Sequence, residues 1–175
     1  MAEHVYLVGM MGAGKSTIGP LVAGRLGRRF VDTDALVEDE AGATVGQVFA
    51  TQGEPAFRAI ERAVVAEAGG TGPPAVVAVG GGAVLDERNC EVMRRGRAVV
   101  WLRARPATLA ARVDDGPVRP LLAEPGGAGP EAVLERLSAE RAPRYATLAT
   151  MTVDVDGRTP EDVADEIVAA LGPGA

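Results

Sequence analysis

Apolar residues along this chain come in two textures: short unbroken runs, and longer stretches where they recur every third or fourth position. The first texture predicts buried strands and the second amphipathic helices. Runs at His4–Val8, Arg29–Val31, Ala75–Val79, Arg97–Leu102 and Met151–Val155 predict five strands. Helical spacing predicts helices over Lys15–Leu26, Ala35–Ala41, Thr44–Phe49, Pro55–Ala68, Asp86–Arg95, Pro106–Val113 and Pro130–Leu148, with a last one from Thr159 to about Leu171. Strands alternate with helices, which is the order of an α/β protein with a parallel sheet covered on both faces. Local chemistry sharpens several boundaries. Asp32-Thr33-Asp34 puts acids at a helix start, and Thr44 and Thr159 suit helix caps. Gly53-Glu54 breaks a helical stretch, Pro55 suits a first turn, and Pro143 predicts a kink in the long late helix. Asp114–Gly129 is rich in Gly and Pro, and an irregular segment of that length is expected to be functional or disordered. Gly172–Ala175 reads as a frayed tail, and no internal repeat is visible.

A chain of 175 residues predicts one domain, 1–175, large enough for a full core. Net charge is −6 and only 3% of residues are aromatic, which argues against general nucleic-acid binding and against base-stacking platforms. No apolar run approaches the length of a membrane span, and no basic, apolar leader precedes the first strand, so the expected location is the cytoplasm. Cys90 is the single cysteine and rules out an internal disulfide; it reads as a small buried filler on a helix. His4 is the single histidine and reads as structural. The chemistry therefore does not rest on a His cluster, a Cys–His pair or a zinc site.

It rests instead on Gly9-Met10-Met11-Gly12-Ala13-Gly14-Lys15-Ser16-Thr17, which spells G-x-x-x-x-G-K-S between a strand and a helix. That is the context a phosphate-binding loop needs. Glycines let backbone N–H groups turn inward around an anion, and the following helix points its positive end at it. Lys15 suits the β- and γ-phosphates, and the Ser16 hydroxyl suits Mg²⁺. Lys15 is also the only lysine in a chain otherwise supplied with arginine. A compact ammonium fits between phosphate oxygens where a broad guanidinium does not.

Three further groups of residues carry chemistry. Asp32 and Asp34, two apart at the end of a strand, put two carboxylates on one side of an extended chain. At the carboxyl edge of a parallel sheet, one suits Mg²⁺ and the other a substrate hydroxyl; helix capping is the plain alternative. Gly80-Gly81-Gly82 leaves another strand end and permits close approach of backbone to a ligand. Arg58 and Arg141 on helices read, by residue type alone, as solvated charges. Arg119 lies in the long loop, where it could close onto phosphates.

Taken in order, Gly9–Thr17, Asp32-Thr33-Asp34, Phe57-Arg58 with Glu61, Gly80-Gly81-Gly82, Arg119-Pro120-Leu121-Leu122 and Arg141-Ala142-Pro143-Arg144-Tyr145 make the chain resemble the shikimate kinases over nearly its whole length. The resemblance implies a three-layer P-loop fold of the nucleoside-monophosphate-kinase type, with five parallel strands in order 2-3-1-4-5 and a mobile lid. It places an acceptor-binding region at about 32–61 and the lid at about 112–129. It implies transfer of the ATP γ-phosphate to the 3-hydroxyl of shikimate, on the way to chorismate and aromatic amino acids, by a monomer. Asp34 would hold and activate the hydroxyl. Arg58, Arg141 and the backbone of Gly80, Gly81 and Gly82 would bind the acceptor. Gly12, Ala13, Gly14, Lys15, Ser16 and Thr17 would cradle ATP, with Arg112 and Arg158 by the adenine. Ser16 would ligate Mg²⁺ with Asp32 in its outer shell, and Lys15 and Arg119 would stabilise the transferring phosphoryl group. Two acids in the lid, Asp114 and Asp115, depart from what such a lid needs. A different small-molecule kinase of the same fold, such as a gluconate kinase, and an ATP-driven switch are the competing readings. A GTPase is excluded, because N-K-x-D needs a second lysine.

Overall fold

The computed structural model describes residues 3–70, 72–113 and 129–172. Strands β1 (Val5–Val8), β2 (Arg29–Asp32), β3 (Ala75–Ala78), β4 (Ala98–Arg103) and β5 (Met151–Asp154) form one sheet in the order β2-β3-β1-β4-β5. Every neighbouring pair is parallel. Around it lie α1 (Lys15–Leu26), α2 (Thr33–Ala41), α3 (Val45–Ala68), α4 (Glu87–Arg94), α5 (Pro106–Val113), α6 (Pro130–Leu148) and α7 (Pro160–Leu171). All residues of β1 and β3 are buried, as their unbroken apolar runs require of strands covered on both faces. The strand order and the helical layers are those the family resemblance implies.

Most predicted elements stand within a residue or two of expectation, and the differences have local causes. The second helix starts at Thr33 because Asp32 is its N-cap, with Asp34 N–H donating to Asp32 Oδ1 at 3.0 Å. The two helices predicted at Thr44–Phe49 and Pro55–Ala68 run together as α3, with the backbone leaving helical angles at Gly53. Thr44 caps the start through a reciprocal pair: Gln47 N–H donates to Thr44 Oγ1 and Thr44 N–H donates to Gln47 Oε1. Pro143 does not end its helix; α6 continues through it to Leu148.

The main core lies between sheet and helices, with Leu7, Val76, Val100, Leu109 and Ile167 at its centre. Val37, Val48, Phe57 and Val64 form a separate small cluster that packs α2 against α3. Cys90 is buried on α4, as expected, with its Sγ 3.3 Å from the Val84 carbonyl oxygen. His4 is wholly buried and bridges two segments: Ala75 N–H donates to its Nδ1 at 3.1 Å, which leaves Nε2 protonated to donate to the Gly70 carbonyl at 3.1 Å. Its structural role follows from that geometry. His4→Leu keeps the volume and strips both partners, so denaturant unfolding should show a loss of about 2–4 kcal/mol. A change under about 0.5 kcal/mol would mean that the two bonds do not hold the start of β3.

Candidate active site

β1 is the central strand, and the chain leaves its carboxyl end as the glycine-rich loop. Gly14 caps α1 with a left-handed backbone (φ 98°), a conformation glycine adopts without strain. The cap uses no side chain, so the first N–H groups of α1 face outward with the positive end of the helix dipole behind them. Lys15 Nζ donates to the Gly9 and Met10 carbonyls at 2.7 and 3.0 Å, folding the ammonium over the loop. Ser16, in the first turn, donates its hydroxyl to Asp32 Oδ2 at 2.6 Å. A hydroxyl and a carboxylate thus meet beside the anion cradle, a pair of hard oxygen donors suited to Mg²⁺. Among the described residues no cluster of three His, Cys, Asp or Glu could cage a metal alone.

A cleft of about 380 Å³ opens from this loop across the sheet edge. Asp34 reaches it from α2 rather than from an extended strand, so the same-side spacing inferred from the sequence is not what aligns the two acids. Asp32 caps the helix, as the plain alternative held, and also meets Ser16; Asp34 sits one turn position further in and faces the glycines after β3. A Cβ on Gly80 would stand 2.7 Å from Asp34 Oδ1 and 2.9 Å from Glu61 Oε1, so only glycine lets both carboxylates approach there. Gly80 N–H donates to the buried Thr33 hydroxyl at 3.1 Å, which ties the two strand ends together.

The two arginines do not sit as solvated charges. Arg58 Nη1 donates to Glu61 Oε2 at 2.8 Å and its Nη2 to Glu54 Oε1 at 3.1 Å. Burial works against its charge, but the two glutamates more than offset this and hold the guanidinium above its ordinary value. Burial pushes the Glu61 carboxyl up; Arg58 pulls it back and Asp34 adds to the rise. Arg141, on α6, is 3% exposed and reaches the same cleft. Its Nε is buried with no hydrogen-bond partner among the described residues. An orphaned buried donor costs free energy, and a positive charge this deeply buried beside the cleft is stabilised by a nearby anion.

A second hollow of about 170 Å³ lies on the other side of the phosphate loop, between Thr17, Ile18, Arg112, Arg158 and Pro160. Arg112 donates to the Gly12 carbonyl at 3.2 Å and to the Val155 carbonyl at 3.4 Å. Arg158 is held by the Asp154 and Asp162 carbonyls and by Glu166.

The residues singled out from the sequence come together in these two places. Gly12, Gly14, Lys15, Ser16, Thr17, Asp32 and Asp34 line the cleft with Arg58, Gly80, Gly81, Gly82, Arg112 and Arg141. Ala13 instead turns into the core, and Arg158 lines the second hollow. Arg119, Asp114 and Asp115 lie outside the described residues. Reasoning from the sequence assigns no role to Glu61, Tyr145, Thr33, Val45 or Phe49. Two of them carried a signal: Glu61 lies three residues after Arg58, and Tyr145 four after Arg141, each on one helix face. Val45 and Phe49 line the cleft with Met11 and Phe57, giving it an apolar wall.

Comparison with known proteins agrees with this geometry. A family model described as shikimate kinase matches residues 11–172. The chain is 46% identical over 170 residues to a shikimate kinase of Symbiobacterium thermophilum, covering 96% of this chain and 95% of that one. It is 46% identical over 165 residues to a shikimate kinase of Thermobifida fusca, covering 94% and 92%. Among solved structures, the shikimate kinase of Acinetobacter baumannii in complex with shikimate superposes with a TM-score of 0.90 at 34% identity, covering 98% of this chain and 93% of that one. With the loop, the paired acids, the glycine triplet and the two arginines in one cleft, the chain belongs to the shikimate kinase family.

Proposed function

We propose that the chain transfers the γ-phosphate of ATP to the 3-hydroxyl of shikimate through the cleft between the phosphate loop and Gly80–Gly82. The observation that carries this reading is Arg141, 3% exposed at the cleft wall, its Nε unpartnered among the described residues. A small acceptor bearing a carboxylate pairs with the charge of this guanidinium from the cleft. Arg58 lines the same cleft and can bind a carboxylate in bidentate fashion. The apolar wall of Met11, Val45, Phe49 and Phe57 covers a carbon ring, and the polar side takes its hydroxyls.

In this reading ATP lies with its phosphates over the N-terminus of α1 and its base in the hollow between Arg112 and Arg158. The acceptor hydroxyl oxygen bonds to the γ-phosphorus, the bond to the ADP oxygen breaks, and the hydroxyl proton passes to Asp34. Lys15 turns from the loop carbonyls to the phosphate oxygens, and Arg119 adds charge from the lid at about 112–129. Such a reaction needs positioning and charge neutralisation rather than covalent catalysis. Ser16 and Asp32 would hold Mg²⁺, which when bound neutralises charge on the phosphates. The whole chain, 1–175, is one kinase domain, with its acceptor-binding region at about 32–61 resting on its own small cluster. The protein works as a monomer in the cytoplasm; among the described residues no helix is long and apolar enough to cross a membrane.

Two measurements test these assignments. The carboxylate does not change during the reaction, so Arg141→Ala should mainly raise the shikimate KM, lowering kcat/KM about 10- to 150-fold while the ATP KM holds. Asp34→Asn is nearly isosteric but takes no proton, so its loss should fall on kcat. Steady-state kinetics that vary each substrate separately decide the matter. An unchanged shikimate KM in the first variant, or a retained kcat in the second, would refute the site. Gly80→Ala should lower kcat by roughly 100-fold with circular dichroism intact, because its Cβ displaces Asp34 Oδ1 and Glu61 Oε1. Normal turnover in that variant would mean that neither carboxylate needs its present place.

A further inference from the structure

Tyr145 stands one turn after Arg141 on α6 and is 1% exposed, the largest polar side chain next to the cleft that the proposed reaction does not use. Its ring stacks on Trp101 of β4, centroids 5.6 Å apart and planes at 28°. That packing alone would serve a phenylalanine. The hydroxyl, however, donates to the Gly81 carbonyl at 2.6 Å. Arg141 lies one helical turn earlier, its guanidinium a neighbouring positive charge that favours the phenol oxygen's ionised form, and the Met10 sulfur lies 3.8 Å from that oxygen. Gly81 is itself a junction. A Cβ there would meet the Gly9 carbonyl at 3.3 Å, Arg141 Nη1 at 3.4 Å and the Met11 nitrogen at 3.5 Å. One hydroxyl therefore touches the glycine triplet, the buried arginine and the phosphate loop.

We propose that Tyr145 is a positioning residue for the acceptor: its hydroxyl fixes the Arg141 guanidinium and the Gly81 peptide relative to each other and to the phosphate loop. A hydroxyl has one proton to give and accepts in return. Giving it to Gly81 leaves the oxygen to accept from Arg141, so the two acceptor contacts share one geometry. Burial raises the phenol well above its ordinary value, so the proton stays in place wherever the enzyme works. Without it the Gly81 carbonyl loses its partner, and the Arg141 guanidinium loses the atom that aims it.

The inference rests on Arg141 and Gly81 being acceptor contacts, and the test separates the two ideas. Tyr145→Phe keeps the ring and its stack. It should raise the shikimate KM about three- to tenfold and leave the ATP KM within about twofold. Tyr6→Phe is the control: this other buried tyrosine, on the central strand, lies against Gly69 and Gly96 towards the amino ends of the strands, and should lose stability with both KM values unchanged. If Tyr145→Phe only lowers the melting temperature, as the control does, while Arg141→Ala loses acceptor affinity, this inference fails and the proposed function stands. If neither variant affects acceptor binding, the proposed function fails. A second readout needs no loss of the hydroxyl. The chain has two tyrosines, so fluorotyrosine incorporated into the Tyr6→Phe protein labels position 145 alone. Its fluorine resonance should move when shikimate is added; a resonance that stays fixed at saturating shikimate overturns the inference.

Discussion

The site depends on the parallel register between β1 and β3. Leu7 lies opposite Ala78, and Val79 N–H donates to the Leu7 carbonyl at 3.0 Å just past the strand end. Two chain reversals of opposite purpose are thereby set side by side. After β1 the chain turns into a loop and a helix start whose positive end favours an anion; after β3 it turns into three glycines, where Asp34 and Glu61 approach the backbone of Gly80. Ligands of open parallel sheets gather at such carboxyl ends because the following loops diverge there. A slip of one residue would turn the side chains of both strands to the wrong faces.

The second constraint is electrostatic. The cleft holds Arg58, Arg141 and Lys15 against Asp32, Asp34 and Glu61. Glu61 is 1% exposed, and its cost of burial is only partly offset by Arg58 at 2.8 Å. Arg58 is thus held by glutamates on its own helix, whereas Arg141 Nε is buried without a hydrogen-bond partner among the described residues. The two arginines differ in kind: one is paired within its own helix, and the other, on α6, keeps a buried donor unmatched there. Breaking the Arg58–Glu61 pair would leave an uncompensated buried carboxylate in the cleft.

Much of this was legible in the sequence, for physical reasons that differ by element. The phosphate loop shows because glycines, lysine and serine must occupy fixed spacings on a local turn. The strands of the interior show because burial on both faces demands unbroken apolar runs, as in Ala75–Val79. The caps at Thr44 and Thr159 show because their hydrogen bonds are local. Contacts between distant segments were less visible. Nothing near Thr33 announces that its hydroxyl accepts from Gly80, 47 positions away. The burial of Arg141 depends on how α6 lies against the turn after β3, so residue type alone pointed to solvent. The two acids read as extended because the sequence predicts a helix from Ala35, whereas the cap formed by Asp32 starts it at Thr33.

The central claim is that a buried guanidinium defines the acceptor by its carboxylate. It is tested most directly by following ADP release with ATP alone, with shikimate, and with the carboxamide of shikimate, which keeps the ring and hydroxyls but not the charge. The account predicts that shikimate drives rapid ADP release and that the carboxamide has a kcat/KM about 10- to 150-fold lower, as losing a buried charge-assisted pair requires. Equal ADP release with and without shikimate, or equal use of the carboxamide, would contradict it.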